Sequence, residues 1–402
     1  MAQNKKKVTP AKVRKTVRTA AKVSKKSPAA LIFVLIILFV IIGALVALYL
    51  TGNLKLPDLS RFGWKKDTQT ESQKAVVAYD SDDLVITFLE LGNWYTGDCT
   101  FIKAGDTDIL IDAGSRLNSV PFIQSTIDKY CTDGKLEYVI VTHAHQDHIA
   151  GFAPASASSK GIFDLYECEM IIDYAFSNSD SNVRANYESA RDREVEAGAV
   201  HKTAAEVRQS GNYVFELSEG ITMTILDSKF YYEKSSNENN YSVCCLINQG
   251  GDRNFLFTGD LEEDGEAHLV KMNDLPEVDL FKGGHHGSYT ASSEELLSVI
   301  KPDIVCICCC AFSNEYTKTE ANMFPAQATV NRLAKYTDQV YVTTVSTDNS
   351  AKTFEPLNGT ITVLSKKGEV IKVNCSGLNV PLKDTTWFKK NRETPEEWKD
   401  AA

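Results

Sequence analysis

From about residue 82 onward, the apolar and polar positions switch repeatedly between the period of a strand and the period of a helix. Short apolar runs bounded by turn residues predict strands, and apolar residues three and four positions apart predict helices. The predicted strands cover residues 84–91, 108–112, 136–142, 221–226, 242–248, 254–258, 278–281, 304–310 and 339–344, followed by a closing hairpin over 359–372. The predicted helices cover residues 120–130, 179–208, 262–272, 290–300 and 326–336. This order predicts an α/β fold in which two sheets lie between layers of helices.

A different pattern occupies residues 31–50, where only Gly43 and Tyr49 depart from Ala, Val, Leu, Ile and Phe. An apolar helix of this length matches a hydrocarbon core of about 30 Å. A secretory signal has a shorter apolar region of about 7–15 residues and a small-x-small cleavage site. Ala44 and Ala47 have the wrong spacing for that site. The stretch therefore predicts a single transmembrane helix over residues 29–51, with a cleaved signal as the alternative.

The charges that flank this stretch predict its orientation. Residues 1–28 contain ten lysines and arginines and no acid, whereas residues 52–81 carry mixed charge. Because positive flanks stay in the cytoplasm, we expect a cytoplasmic N-terminus and an extracellular catalytic domain. The basic arm is a topology signal, or it also lies on anionic lipid of the inner leaflet. The predicted organisation is an arm over 1–28, an anchor over 29–51, a linker over 52–81, a folded domain over 82–376 and a C-terminal tail over 377–402.

Composition restricts the partners of the folded domain. The chain has 402 residues, 43% of them hydrophobic, which is enough for a large core. Ten of its 43 lysines and arginines lie in the arm, which leaves 33 against 53 aspartates and glutamates. An acidic body disfavours tight non-specific binding to nucleic acid, because that binding depends on neutralising phosphates. Composition therefore excludes a general DNA-coating protein.

The ten cysteines show no spacing typical of a disulfide framework. Six of them lie in two apolar, strand-like runs: Cys244, Cys245, Cys306, Cys308, Cys309 and Cys310. Zinc binding by the second run is the alternative, but a strand sends alternate side chains to opposite faces and so separates the thiolates. We expect buried core thiols. Free thiols in an exported domain suit a non-oxidising exterior.

The strongest chemical signal follows the predicted strand 136–142. There the chain reads Thr142-His143-Ala144-His145-Gln146-Asp147-His148. Three imidazoles and one carboxylate at the end of a buried strand form a compact set of nitrogen and oxygen donors, which suits Zn²⁺, Fe or Mn²⁺. A solvated polar loop is the alternative. The pattern favours a metal site.

This HxHxDH motif resembles that of the metallo-β-lactamase fold. Further motifs occur in the family's order over residues 84–375: Phe88-Leu-Glu-Leu-Gly92, Gly97-Asp98, Asp108-Ile-Leu-Ile-Asp112-Ala-Gly114, Asn240-Tyr-Ser242, Phe257-Thr-Gly-Asp260, Gly283-Gly-His285-His286-Gly-Ser288, and Val340-Tyr-Val-Thr343 before Gly359-Thr-Ile-Thr-Val363. The histidine pair resembles the ComEC-type branch, the domain attached to competence DNA-uptake channels. The resemblance implies an αββα sandwich of the metallo-β-lactamase type, preceded here by one transmembrane helix in a bacterial cell membrane.

The resemblance also implies roles for single residues. The implied metal ligands are His143 and His145 for one ion, Asp147, His148 and His285 for a second, and Asp260 as the bridge. The implied catalytic residues are Asp147 and His286, with His286 as proton donor to the leaving group or, alternatively, as a hydrogen-bonded neighbour of the ligands. Three residues are expected around the ligands: Asp112 behind the metal loop, Ser288 near the substrate, and Asn240 at the start of a strand.

Two divalent ions, Zn²⁺ or alternatively Mn²⁺, would lower the pKa of a shared water and give a metal-bound hydroxide. The resemblance therefore predicts a membrane-anchored, extracytoplasmic metal-dependent hydrolase of phosphodiesterase or nuclease type. Hydrolysis of choline-phosphate, lactone or β-lactam substrates is an alternative, as is a non-catalytic surface binding module. Two departures argue against carrying over DNA uptake: one span replaces the many-helix channel, and a family histidine after Asn314-Glu-Tyr316 is missing. The substrate and the oligomeric state are left open.

One family ligand has no obvious counterpart. Most relatives of this fold supply another histidine to the first ion from the segment between the HxHxDH motif and the bridging aspartate. Between residues 149 and 259 the chain has one histidine, His201, in a polar setting. We expect His201 to lie at the surface or on the substrate side. The first ion would then keep two histidines, Asp260 and solvent, and its weaker binding would favour Mn²⁺.

The predicted orientation can be tested with reporter fusions. Alkaline phosphatase joined after residue 80 should be active, because it folds only outside the cytoplasm, and a reporter that works only in the cytoplasm should be silent there. The reverse pattern of activity would place the hydrolase domain inside the cell, in agreement with its free cysteines.

Overall fold

Two eight-stranded sheets organise the residues that the computed structural model describes, which are 80–154, 156 and 158–399. The strands are β1 (Leu84–Phe88), β2 (Thr100–Ala104), β3 (Thr107–Ile111), β4 (Lys135–Ile140), β5 (Glu167–Asp173), β6 (Val200–Thr203), β7 (Val214–Ser218), β8 (Ile221–Ile225), β9 (Cys245–Gln249), β10 (Arg253–Phe257), β11 (Leu280–Lys282), β12 (Ile304–Ala311), β13 (Gln339–Asp348), β14 (Thr353–Pro356), β15 (Ile361–Ser365) and β16 (Lys372–Cys375). The first sheet has the order β16-β15-β1-β2-β3-β4-β5-β6, and the second has the order β14-β13-β12-β11-β10-β9-β8-β7.

Helices cover the outer faces of both sheets. They are α1 (Val120–Ile127), α2 (Gln146–Ile149), α3 (Asn182–Ala197), α4 (Ala204–Gln209), α5 (Glu263–Met272), α6 (Glu294–Ile300), α7 (Gln327–Leu333) and α8 (Thr386–Asn391). Short 3₁₀ turns lie at Leu117–Ser119, Ile162–Asp164, Lys229–Tyr231, Glu238–Tyr241, Gly284–Gly287, Glu320–Asn322, Leu382–Asp384 and Glu396–Trp398. Within the described ranges, no helix is long and apolar enough to cross a membrane. The predicted arm, anchor and nearly all of the linker lie outside the described residues.

Three apolar clusters hold the layers together. The inner cluster joins the facing sides of the two sheets, with Ile86 and Ile109 from the first sheet and Phe255 from the second, all fully buried. A second cluster packs α1 and α3 onto the outer face of the first sheet. A third packs α5, α6, α7 and α8 onto the outer face of the second sheet. The αββα sandwich expected from the sequence is confirmed.

The first sheet contains three strands that the apolar pattern did not reveal, β2, β5 and β6. The segment 179–208 was expected to be one helix, but α3 ends before Gly198, whose φ of 123° strongly favours glycine. The next residues form β6, which pairs parallel with β5. Strand β2, expected to be a connection, pairs antiparallel with β1 and β3. Short edge strands and hairpin partners depend on pairing with distant residues, which the local pattern does not encode.

The cysteines lie in the core, as expected. All ten fall within the described residues and are free thiols, and nine are buried, with Cys375 half-buried. On β12, Cys306 and Cys308 belong to the inner cluster and Cys309 to the outer one. The alternating faces of the strand separate the thiols, so they do not converge on a common metal.

The segment predicted as a C-terminal tail packs onto the domain. Phe388 of α8 and Trp398 are buried in the outer cluster of the second sheet, and their rings lie 5.5 Å apart. The Trp398 indole N–H donates to the carbonyl of Thr337 at 2.9 Å. Residues up to 398 therefore belong to the helical layer.

A buried glutamate ties α5 to the start of α6. Glu266 is fully buried, and its two carboxylate oxygens accept from the backbone N–H groups of Ser292 and Ser293, both at 2.7 Å. Burial raises the pKa of Glu266 to about 7, although these hydrogen bonds favour the ionised form. A pKa above the unfolded value means that folding is favoured by the protonated form.

Stability should therefore fall as pH rises from about 4.5 to 7, by on the order of 3 kcal/mol from this one group. Glu266→Gln should remove that slope. The variant should be less stable than the wild type by about 1 kcal/mol below pH 4.5, because the amide can accept only one of the two hydrogen bonds, and this difference should shrink and then reverse as the pH rises to 7. Urea unfolding of both proteins across this pH range measures the difference. Parallel curves would show that Glu266 titrates normally.

Candidate metal centre

The chemistry-bearing residues follow four strands at one edge of the sandwich. Asp112 comes directly after β3, and the loop with His143 to His148 follows the parallel strand β4. Asp260 follows β10, and the histidine pair follows the parallel strand β11. Parallel neighbours end at the same edge of a sheet, so each sheet brings its own residues together.

His148 is held from behind by Asp112. Its Nδ1 lies 2.7 Å from Asp112 Oδ2, and the same carboxylate accepts from the backbone N–H and hydroxyl of Thr142 at 2.8 and 2.7 Å. This contact leaves Nε2 of His148 pointing at Asp260 Oδ2, 3.1 Å away. A carboxylate behind a histidine is the usual arrangement around metal-bound imidazoles. The expected role of Asp112 is consistent with this geometry.

His286, rather than His285, lies among the predicted ligands. Its Nδ1 donates to the carbonyl of Cys308 at 2.9 Å. Its Nε2 lies 3.2 Å from Asp260 Oδ2, and 3.3 Å from both Asp147 Oδ2 and His148 Nε2. Four groups thus present nitrogen or oxygen atoms to one another, and Asp260 Oδ1 is buried without a hydrogen-bond partner. Such a donor set fits a divalent cation.

The histidine that lies deeper in the cluster is thus His286, whereas the sequence led us to expect His285 there. His285 has 17% of its side chain exposed, against 1% for His286, and its Nε2 lies 3.7 Å from Asp260 Oδ2. Both residues have positive φ, 45° and 55°, in the turn after β11. This turn directs the second imidazole inward and leaves the first at the rim. Nδ1 of His285 lies 3.1 Å from Glu262 Oε1.

The other two histidines of the motif form a neighbouring pair. His143 Nε2 lies 2.9 Å from His145 Nδ1 and 4.0 Å from Asp260 Oδ2. The hydroxyl of Ser242 accepts from the backbone N–H of Asp260 at 3.0 Å and lies 3.5 Å from His143 Nδ1. All six predicted ligands thus lie within one or two contacts of the Asp260 carboxylate, with His285, at 3.7 Å, on the more exposed side of the group.

Burial alone would favour the neutral form of every group in the cluster. Against this effect, His148 and His286 hold the pKa of Asp260 well below its usual range, and the same imidazoles lower the pKa of Asp147. Nearby carboxylates, Asp260 first, raise the pKa of His148. Burial and the charge of His148 lower the pKa of His143 far below its ordinary value. The cluster therefore stabilises ionised carboxylates and a neutral His143, whereas His148 has to release a proton before its Nε2 can bind a cation.

Ser288 and Asn240 support loops instead of facing the cluster. Ser288 is buried, and its hydroxyl lies 2.9 Å from the hydroxyl of Thr290 within its own turn. Asn240 Oδ1 accepts from the backbone N–H of Glu262 at 3.4 Å. Its neighbour Asn239 reaches the Glu262 carboxylate at 3.0 Å. Asn239 and Glu262, which sequence reasoning missed, thus connect this loop to His285.

His201 lies outside the cluster. It is on β6, and its Nε2 lies 2.8 Å from Asp173 Oδ1. The Arg191 guanidinium and the Tyr187 hydroxyl donate to the other oxygen of this carboxylate at 2.9 and 3.0 Å. The imidazole is thus held in a separate polar network, partly exposed, as a surface histidine.

Sequence reasoning also missed three residues beside the ligands. Lys282, the last residue of β11, is buried and forms an ion pair with Asp98. The Tyr316 hydroxyl donates to Asp147 Oδ2 at 2.5 Å. Asp98 was visible in the motif Gly97-Asp98, but nothing in the local pattern linked it to Lys282. Four residues each place one potential metal-binding atom within 4.8 Å of those of the others: Asp98, His148, Asp260 and His286.

Comparison with known proteins agrees with this geometry. Residues 92–160 match the sequence profile of the metallo-beta-lactamase superfamily, the segment that contains the HxHxDH loop. The chain has an α/β fold of the metallo-β-lactamase type. It is similar to the metallo-beta-lactamase fold protein YhfI from Bacillus subtilis, with 12% identity, a TM-score of 0.38, and coverage of 65% of this chain and 96% of that one.

Two curated relatives are longer than this metallo-β-lactamase-type chain. ComE operon protein 3 of Bacillus subtilis is 25% identical over 173 residues, 42% of this chain and 19% of the relative. Recombination protein 2 of Haemophilus influenzae is 25% identical over 252 residues, 62% of this chain and 27% of the relative. The chain thus spans about a fifth to a quarter of the length of these relatives.

The geometry predicts which histidine substitutions change metal binding. His286→Ala should lose about one ion per chain, because its Nε2 faces three other donors, whereas His201→Ala should keep the full metal content. Mass spectrometry of metals per chain after dialysis measures both. Loss of an ion from His201→Ala would show that the β6 histidine leaves Asp173 to become a ligand.

Proposed function

We propose that the chain is a membrane-anchored, extracytoplasmic hydrolase that uses two divalent metal ions to cleave phosphodiester bonds. One observation carries the proposal. A single carboxylate oxygen, Asp260 Oδ2, faces ring nitrogens of His148 and His286 at 3.1 and 3.2 Å, and His143 at 4.0 Å. A carboxylate shared between two sets of imidazoles is the donor arrangement that a two-metal site needs.

The donors divide into two sets. His143 and His145 would hold one ion, as the sequence predicts. Asp147, His148 and His286 would hold the other, with Asp260 shared between the two. When bound, such ions supply Lewis acidity and a water of lowered pKa. Zn²⁺ suits these nitrogen and oxygen ligands, and Mn²⁺ is the alternative where imidazoles are fewer.

The chain's own residues orient the donors and the substrate. Asp112 and the carbonyl of Cys308 fix the rings of His148 and His286 through their Nδ1 atoms. His285 keeps its Nδ1 against Glu262 at 3.1 Å, so its Nε2 faces the cluster from the rim. That nitrogen is the atom best placed to exchange a proton with a leaving group.

Aromatic side chains near the cluster favour a nucleic-acid phosphodiester. Tyr316 is 52% exposed and packs on Phe324 at 5.3 Å, and Phe324 lies 5.9 Å from the His285 ring. Tyr289, next to the histidine turn, is 48% exposed. Exposed rings beside a metal centre can stack on unpaired bases. The name of one relative, a recombination protein, points to the same substrate class.

The proposed function does not include DNA uptake. The relatives are several times longer than the matched region, and the chain carries one predicted span over residues 29–51. The anchor and its orientation belong to the proposal, and the reporter fusions test them. What is proposed is a hydrolase domain on a membrane stalk.

Substitution of the shared carboxylate tests the mechanism. The full-length chain should hydrolyse bis-p-nitrophenyl phosphate and single-stranded DNA, and Asp260→Asn should lower the rate on the order of 10²-fold or more, because an amide cannot bridge two cations. Turnover at matched metal occupancy is the measurement. Lactones and nitrocefin, tested in parallel, would identify another ester class if they were cleaved faster.

Asp173→Asn provides a matched control. Asp173 is as buried as Asp260 and also contacts a histidine, His201, but it lies in a separate network. This variant should keep the wild-type turnover. Wild-type turnover by Asp260→Asn at equal metal content would reject the two-metal mechanism.

A further inference from the structure

A lysine is buried beside the acidic ligands. Lys282 and Asp98 each have 4% of their side chain exposed, and they form a direct ion pair. The Lys282 ammonium also lies 3.9 Å from Asp260 Oδ1 and donates to the carbonyl of Gly259 at 3.5 Å. Lysine is rarely buried to this extent unless it is paired, so the position calls for a physical reason.

Asp98 lies behind the rings of two proposed ligands. Its Oδ1 is 3.3 Å from Nδ1 of His286, and its Oδ2 is 3.9 Å from Nδ1 of His148. The Nε2 atoms of these rings face Asp260 instead. Asp98 therefore approaches both imidazoles at their Nδ1 edges, and one of its oxygens lies within 4.8 Å of a carboxylate oxygen of Asp260.

The backbone of Asp98 is fixed to the loops that carry the site. Its N–H donates to the carbonyl of Asp147 at 2.9 Å, and its carbonyl accepts from the N–H of Gly114 at 2.7 Å. The segment after β1 is thereby joined to the loops after β3 and β4, and Lys282 joins it to β11. Asp98 thus connects elements of both sheets at the metal centre, through its backbone to the first sheet and through its carboxylate to Lys282 of the second.

We propose that Asp98 and Lys282 are a positioning pair for the metal centre. Lys282 holds the Asp98 carboxylate near the Nδ1 edges of His286 and His148. The negative charge of Asp98 there adds to the hydrogen bonds that the carbonyl of Cys308 and Asp112 make with these nitrogens, and strengthens the Nε2 atoms as donors. Carboxylates behind metal-bound histidines raise ligand basicity in this way. The inference rests on the proposed metal centre and holds whatever the substrate.

The stability of the fold alone does not require the ion pair between Asp98 and Lys282. Replacing both members of a buried ion pair by neutral side chains is often neutral for folding, whereas removing one member leaves an uncompensated charge and is strongly destabilising. A purely structural pair could therefore be replaced by neutral residues without loss of metal binding. If the pair positions the ligands, the same replacement should weaken metal binding.

The decisive variant is the full-length double substitution Asp98→Asn with Lys282→Met, which removes one charge of each sign and leaves the net charge unchanged. Metal-free unfolding should occur near the wild-type midpoint. Affinity for Zn²⁺, measured by competition with a chromophoric chelator, should fall about 10- to 100-fold. The visible absorption spectrum of the Co²⁺-loaded protein should change as well, because it reports the geometry of the ligands.

A second pair gives the matched control. Asp83 is buried, and its Oδ2 lies 2.6 Å from the Lys366 ammonium near the start of β1, with no contact to a proposed ligand. The double substitution Asp83→Asn with Lys366→Met should leave both Zn²⁺ affinity and the Co²⁺ spectrum unchanged. A loss of affinity here would show that any perturbed ion pair weakens the site, and would overturn the proposal.

Wild-type Zn²⁺ affinity and an unchanged Co²⁺ spectrum in the Asp98/Lys282 double variant would also overturn it. If that protein does not fold, Asp98→Glu, which keeps both charges but moves the carboxylate away from the two Nδ1 edges, should show the same fall in affinity, and wild-type affinity there would equally reject the role. Failure of the proposed metal centre is recognised separately, because the wild-type chain would then bind no metal, and failure of the proposed substrate class is recognised by a wild-type chain that binds metal but does not cleave phosphodiesters.

Discussion

One buried carboxylate oxygen organises the site: Asp260 Oδ2 lies within 4.0 Å of a ring nitrogen from each of four histidines. The distances are 3.1 Å to His148, 3.2 Å to His286, 3.7 Å to His285 and 4.0 Å to His143. A buried anion is costly unless positive charge or hydrogen-bond donors surround it. The imidazoles can stabilise this carboxylate only when their Nε2 atoms are directed toward it. The groups that contact the Nδ1 atoms and set this orientation are therefore as important for the site as the imidazoles themselves.

This constraint couples the site to the packing of the sheets. His143 and His148 leave the first sheet, whereas Asp260 and His286 leave the second. Their separation is thus set by the inner core, where the rings of Phe88 and Phe257 stack with centroids 6.4 Å apart. Protein cores are close-packed and pass on small changes in volume. The side chains that pack between the two sheets therefore also determine the distances between the proposed ligands.

The sequence allowed most of the strands, the sandwich and the HxHxDH loop to be predicted, because each depends on local period or spacing; β2, β5, β6, β7 and β14 were missed. It did not distinguish His285 from His286, since both follow the same strand and the choice depends on two residues with φ of 45° and 55° in one turn. Nor did it reveal the contact of Asp98 with Lys282. That pair joins residues far apart in the chain, and a lysine at the end of a strand is ordinarily exposed.

The net charge of the side chains at the proposed metal centre determines the order in which metal ions and an anionic substrate would bind. Four carboxylates, those of Asp98, Asp112, Asp147 and Asp260, surround the histidines, and the ammonium of Lys282 is paired with one of them. Glu262, beside His285, adds a fifth carboxylate. Nearby carboxylates raise the pKa of His148 and of His286, so in the absence of metal five negative charges face three positive ones and would repel the proposed phosphodiester anion. Two divalent cations would displace the two imidazole protons, and their four positive charges together with Lys282 would balance the five carboxylates and remove the repulsion. In a chain whose folded part is acidic overall, metal binding should therefore precede binding of the proposed phosphodiester, and the bound cations rather than a basic surface would attract it.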